Sequence, residues 1–99
     1  MTKIFTQSDR GFTISSAGLS IDEFYMECVQ FAIDNGMRTE ADMAPIFAKV
    51  YEGEKLSYEQ DDELYWAYYN AIRYLTSISE PPFSFDFDEF GDLVFDDWS

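Results

Sequence analysis

The hydrophobic period of this chain changes at Pro81-Pro82, and that change restricts the folds open to it. Ahead of the prolines, apolar residues recur at helical spacing in three stretches. Behind them, Phe83, Phe85 and Phe87 alternate with Ser84, Asp86 and Asp88, the two-residue period of a half-buried strand. A helix cannot run through the prolines, because each ring fixes φ and removes an N–H donor. The expected class is therefore α+β, with three helices packed against a small antiparallel sheet.

Local signals place the elements. Ser20-Ile21-Asp22-Glu23 is a capping box, in which the Ser20 hydroxyl accepts from the Glu23 amide and the Glu23 carboxylate accepts from the Ser20 amide. It opens a helix over 21–35 with Ile21, Phe24, Tyr25, Cys28, Phe31 and Ala32 on its apolar side. Leu19 and Phe24 sit at hydrophobic-staple positions, and Asn35-Gly36 is a left-handed stop. A second helix is expected over 40–52, carrying Met43, Ile46, Phe47, Val50 and Tyr51 and ending at Gly53. Pro45 fits there if Asp42 is the cap and the proline falls in the first turn, or if the helix kinks. Ser57-Tyr58-Glu59-Gln60 repeats the capping pattern and opens the longest helix, 58–79. Its core stripe is Leu64, Tyr68, Ala71, Ile72, Leu75 and Ile78. A second, aromatic face is left over, made of Tyr58, Tyr65, Trp66 and Tyr69 with Arg73.

The sheet is expected from both ends of the chain. Thr2–Gln7 and Phe12–Ser16 flank Ser8-Asp9-Arg10-Gly11 and read as an N-terminal hairpin over 2–16. Residues 83–96 read as an acidic, aromatic strand pair turning at Glu89-Phe90-Gly91-Asp92, or as one strand pairing with the N-terminal hairpin and a looser tail. At 99 residues the chain has room for one core, so 1–99 is taken as a single domain. A hydrophobic fraction of 46% and an aromatic fraction of 19% set it apart from disordered chains.

Composition excludes more chemistry than it suggests. Twenty acidic against six basic residues give a net charge of −14, which disfavours direct contact with nucleic acid or an anionic membrane. There is no histidine, so the Ser-His and Cys-His pairs that activate a nucleophile are missing. The reading is of a non-enzyme with no cofactor. The lone cysteine, Cys28, lies on an apolar helix face, where a thiol is inert, and a cytoplasmic location fits. No run approaches the ~18 apolar residues of a membrane span, and no export signal stands at the N-terminus. Asp86, Asp88, Gly91 and Asp97 fall on calcium-loop positions one, three, six and twelve, with Leu93 at eight. However, Phe90 sits where a ligand oxygen is wanted, and no helix leads in. Calcium binding at 86–97 is thus a minor alternative.

The stretch from Glu80 to Ser99 holds seven acids and no base, half of the net charge. A cationic partner accounts for such a concentration, and cationic protein surfaces commonly exist to hold phosphates. Carboxylates two apart on a strand are about 6.6 Å apart, and helix neighbours four apart about 5–6 Å, so both can imitate short phosphate runs. In size and composition the chain resembles the small acidic inhibitors carried by phages or toxin–immunity pairs. The resemblance implies a protein that blocks the DNA- or RNA-binding surface of a nuclease, a restriction or CRISPR effector, or another nucleic-acid-binding protein. It carries over no individual residue. From the charge pattern, the candidate partner-binding residues are Asp86, Asp88, Glu89, Phe90, Asp92, Asp96, Asp97 and Trp98 in the tail. To these the third helix adds Glu59, Asp61, Asp62, Glu63 and Trp66. The chain is expected as a monomer or homodimer. The alternative is a structural or adaptor protein whose aromatic surface makes a homo-oligomer.

Overall fold

The structure, a computed structural model, describes residues 4–39 and 42–98. Its helices are α1 (Ile21–Asp34), α2 (Ala44–Tyr51) and α3 (Tyr58–Ser77). Its strands are β1 (Thr13–Ile14), β2 (Phe83–Phe87) and β3 (Leu93–Asp97), and a 3-10 turn at Gln7–Asp9 precedes β1. The sheet is antiparallel in the order β1-β3-β2, which makes this an α+β fold with three helices and three strands.

Both capping boxes form. Ser20 Oγ accepts from Glu23 N at 3.2 Å and Glu23 Oε1 from Ser20 N at 3.2 Å. Ser57 and Gln60 do the same at the head of α3, at 3.2 and 3.1 Å. Each box satisfies two donors that the first helical turn would otherwise leave open. In α2 the proline lies at the second helical position, so it falls in the first turn and no kink is needed; the N-cap is Met43 instead of the expected Asp42, whose Oδ1 accepts from Ala44 N at 3.0 Å from one residue further out. Helix α2 is shorter than the expected 40–52, and Glu40 and Ala41 lie outside the described residues. Tyr51, expected on its apolar side, is exposed.

Helices α1 and α3 run parallel. Tyr25 meets Tyr65 and Tyr68 near the two starts, and at the far ends Tyr74 Oη donates to Asn35 O at 2.8 Å. Between them lie Cys28, Val29, Ala32, Leu64, Ala71 and Leu75, all fully buried. The sheet closes the other side with Phe85, Leu93 and Phe95, and one continuous hydrophobic cluster results. Alternation along β2 and β3 puts these residues on the core face. Ser84, Asp86, Val94 and Asp96 lie on the opposite, helix-free face.

The N-terminal hairpin expected over 2–16 does not form among the described residues; Thr2 and Lys3 lie outside them. Its two arms pair with other elements instead. Ile4 N and Phe5 N donate to Ile78 O (2.8 and 3.1 Å), and Glu80 N donates to Phe5 O (2.7 Å). Thr13 and Ile14 pair with Val94 and Leu93 of β3. A two-stranded ribbon alone buries little apolar surface. Docked separately, the arms deliver Phe5 and Phe12 to a ring cluster with Phe31, Phe85 and Phe95 at centroid distances of 5.0–6.5 Å. Phe5, which is buried, contributes on the order of 1.5–3 kcal/mol by leaving water, and Phe12, which stays 39% exposed, contributes less.

Candidate functional site

Helix α3 divides its acidic start between two surfaces. Asp62 and Glu63 each stand three or four residues from both Glu59 and Trp66, so the four share one side. Asp62, Glu63 and Trp66 line a cleft of about 460 Å³ together with Met37, Arg38 and Tyr74. Trp66 is 53% exposed and begins a row of rings, with Tyr65 at 5.5 Å and Tyr69 at 5.8 Å. Arg73 stands 5.9 Å over Tyr69, so a guanidinium already rests on this row. Asp61 and Tyr65 turn towards α1. There Asp22 is held above the usual carboxylate range, by its own desolvation first and by the charge of Asp61 second.

Three of the tail acids are taken up by the fold in different ways. Asp88 builds the hairpin turn: its Oδ1 accepts from Phe90 N at 2.9 Å and from Asp92 N at 3.0 Å, and Gly91 supplies a φ of +80°. Asp92 ties the turn to the N-terminal segment, its Oδ1 accepting from Ser16 N at 2.8 Å and from Ser16 Oγ at 3.0 Å. Asp96 pairs with Arg10 at 2.6 Å. The tail contains no base of its own, and the fold supplies one from 86 residues away. The Asp97 amide first, then Arg10, hold the Asp96 carboxyl below its ordinary value.

Asp86 covers an open edge. Asp88 N donates to Asp92 O at 3.0 Å, so the N–H of Phe87 points away from β3, and Asp86 Oδ1 takes it at 2.8 Å. A charged group on a free strand edge also discourages another strand from pairing there. Glu89 and Phe90 project from the turn, Phe90 at 75% exposure. Trp98 lies beside the helix-free face and donates from Nε1 to Ser84 O at 3.1 Å; Asp97 is exposed.

The alternation of Phe83, Phe85 and Phe87 does not bury all three, since Phe87 is 42% exposed. It lies on the core side of β2 but at the rim, against Phe24 and Tyr68. Two residues at the calcium-loop positions are engaged by the hairpin itself. Asp86 and Asp88 accept from backbone amides, and among the described residues no three His, Cys, Asp or Glu side chains cluster as a metal ion would require.

The candidate residues thus stay in two groups, one on α3 and one on the hairpin. Sequence reasoning overlooked Ile21, Tyr25, Tyr68 and Phe87, which with Tyr65 line a groove of about 560 Å³ on the α1 side of α3. The exposed aromatic excess on α3 was the available signal for it. Cys28 is fully buried, and its thiol is pushed up to about 12, by desolvation first and by Glu27 second, which suits a packing role. Among the described residues no helix is long and apolar enough to cross a membrane. Comparison of the chain with protein-family models, with curated proteins and with solved structures finds no match.

Proposed function

We propose that this protein is a non-enzymatic inhibitor that occupies the basic nucleic-acid-binding surface of another protein by presenting negative charge at phosphate-like density. The observation that carries this reading is the disposition of the acids. Glu59, Asp61, Asp62, Glu63, Asp86 and Glu89 are exposed on α3 and the hairpin, with no Lys or Arg at ion-pair distance among the described residues. The molecule extends 38 × 30 × 17 Å. A net charge of −14 along 38 Å is about one charge per 2.7 Å, against roughly one per 1.7 Å of duplex DNA. The two densities agree within a factor of two.

The partner is a basic nucleic-acid-binding protein such as a nuclease or a restriction or CRISPR effector, met in the cytoplasm. Charge steers the encounter and aromatic anchors slow dissociation. The test is capture of partners from lysate on immobilised protein, followed by a salt titration and competition with the partner's own DNA or RNA. Affinity is expected to fall steeply between 50 and 200 mM salt, as roughly a power law, and nucleic acid is expected to displace the protein. A partner without a basic groove, or binding indifferent to ionic strength, would overturn the proposal.

The row Tyr65, Trp66 and Tyr69 favours one second reading, an adaptor that self-associates through its rings. Sedimentation velocity with acrylamide quenching of tryptophan separates the two. An oligomer that shields Trp66, with no basic partner recovered, supports self-association.

A further inference from the structure

The groove on the α1 side of α3 has an apolar interior and an acidic rim. Phe24 and Tyr68 form its floor, and Ile21, Tyr65 and Phe87, at 63%, 45% and 42% exposure, form its walls. Its rings are continuous, with Tyr25 stacked on Tyr68 at 4.1 Å and Phe87 6.1 Å from Tyr68. At about 560 Å³ it matches the range of small-ligand pockets, roughly 300–1,000 Å³, which is room for two or three side chains. No Lys or Arg lines it. Asp22 follows the wall residue Ile21 in α1, and Asp61 precedes Tyr65 by about one turn of α3, near enough for its charge to oppose that of Asp22.

Charge decides what fits. A second copy seated here would bring together two chains of −14 and two acidic rims, and like-charge juxtaposition costs several kcal/mol. Nucleic acid meets the same repulsion. An apolar side chain flanked by cations satisfies both the walls and the rim.

We propose that this groove anchors a basic amphipathic segment of the partner, seating an aromatic or branched aliphatic side chain between Ile21, Tyr65 and Phe87, with Lys or Arg against Asp22 and Asp61. The inference rests on the reading of the protein as a binder of a cationic protein surface. It adds where the dissociation rate is set: exposed acids bring the partner in, and the groove holds it.

Two fluorescein-labelled probes test it: an amphipathic peptide of Lys, Leu and Phe, and an oligolysine of equal charge, both read by anisotropy at physiological salt. The amphipathic peptide is expected to bind at least about tenfold more tightly. The double variant Ile21→Gln/Tyr65→Gln, which leaves the charge unchanged, removes that difference. Asp22→Asn/Asp61→Asn weakens both peptides more than a control pair of neutralisations at the exposed Glu52 and Glu54. Circular dichroism verifies that each variant is folded. On the unmutated protein, NMR shifts on adding the amphipathic peptide are expected at Ile21, Tyr25, Tyr65 and Phe87.

Equal affinity for the two peptides, or shifts centred on the Trp66 cleft or the helix-free sheet face, would overturn the groove while leaving charge mimicry standing. A homodimer dissociated by Ile21→Gln/Tyr65→Gln would assign the groove to a second copy and overturn it too. Groove-specific binding of the amphipathic peptide, in a protein that never competes with nucleic acid, would uphold the groove and remove the mimicry.

Discussion

Replacing Gly36 with alanine tests how the ends of α1 and α3 are joined. Gly36 has a φ of +105°, and a Cβ built there would lie 2.7 Å from Tyr74 Oη, the hydroxyl that donates to Asn35 O at 2.8 Å. Two costs follow. An L-residue in the left-handed region costs roughly 1–2 kcal/mol. The tyrosine must also move away, which forfeits a hydrogen bond worth a net ~1 kcal/mol. Gly36→Ala is therefore expected to lose about 2–3 kcal/mol, a large part of a typical domain stability of roughly 5–15 kcal/mol, and about 10–20 °C in Tm. Tyr74→Phe alone loses the hydrogen bond, about 1 kcal/mol. Because the alanine collides with the hydroxyl while the ring carbon Cζ stands 3.9 Å away, the double variant suffers only backbone strain and one lost bond. Its loss should fall short of the sum of the single losses by about 1 kcal/mol. Urea unfolding of all four proteins measures this coupling. Additivity within ~0.3 kcal/mol would refute the account, since it would mean that Gly36 and Tyr74 do not meet.

Four further outcomes are expected. Cys28 should resist Ellman's reagent in the folded protein at pH 8, where a pKa of about 12 leaves on the order of one thiolate in ten thousand, and react on unfolding; labelling at the rate of a free thiol would contradict its burial. Because that pKa is raised from the ordinary 9.0, the stability linked to Cys28 is fully present below pH 9 and is lost as pH rises towards 12. Tyr68, shifted upwards chiefly by desolvation, acts with the same sign, and Cys28→Ala should flatten the alkaline slope of stability measured by urea unfolding. Arg10→Gln should move the NMR titration of Asp96 upwards but short of the ordinary carboxylate value, because the Asp97 amide remains; no movement would mean that the ion pair does not persist. Phe85→Ala, at a position 3% exposed and among four other rings, should cost about 3–5 kcal/mol, whereas Phe90→Ala should stay within ~0.5 kcal/mol; similar losses in calorimetry would refute the assignment of Phe85 to the core and Phe90 to the surface.

The helices were legible from the chain because the interactions that start and stop them act over a few residues. Ser20 with Glu23 and Ser57 with Gln60 are partners three apart, and Pro45 constrains only its own first turn. The period-two run from Phe83 was legible for a similar reason, since alternation reports a strand wherever its partner lies. The site was legible in part. Asp62, Glu63 and Trp66 share a helix face by spacing, and the structure sets them along one cleft. Spacing could not separate the acids of the tail. Asp88, Asp92 and Asp96 are equivalent in sequence, yet one builds a turn, one holds Ser16 and one pairs with Arg10.

By itself, then, the sequence determined the fold class, the starts of α1 and α3 and the concentration of negative charge, all of which follow from composition or from contacts within about one helical turn. Tertiary structure decided the rest: that Thr13 and Ile14 join β3, that Phe5 docks at Ser79, that Phe87 stays at the rim, and that Ile21, Tyr65 and Phe87 enclose a groove. Those outcomes depend on which surfaces remain unburied once α1, α3 and the hairpin meet. No local signal encodes them, because burial is shared among residues distant in sequence.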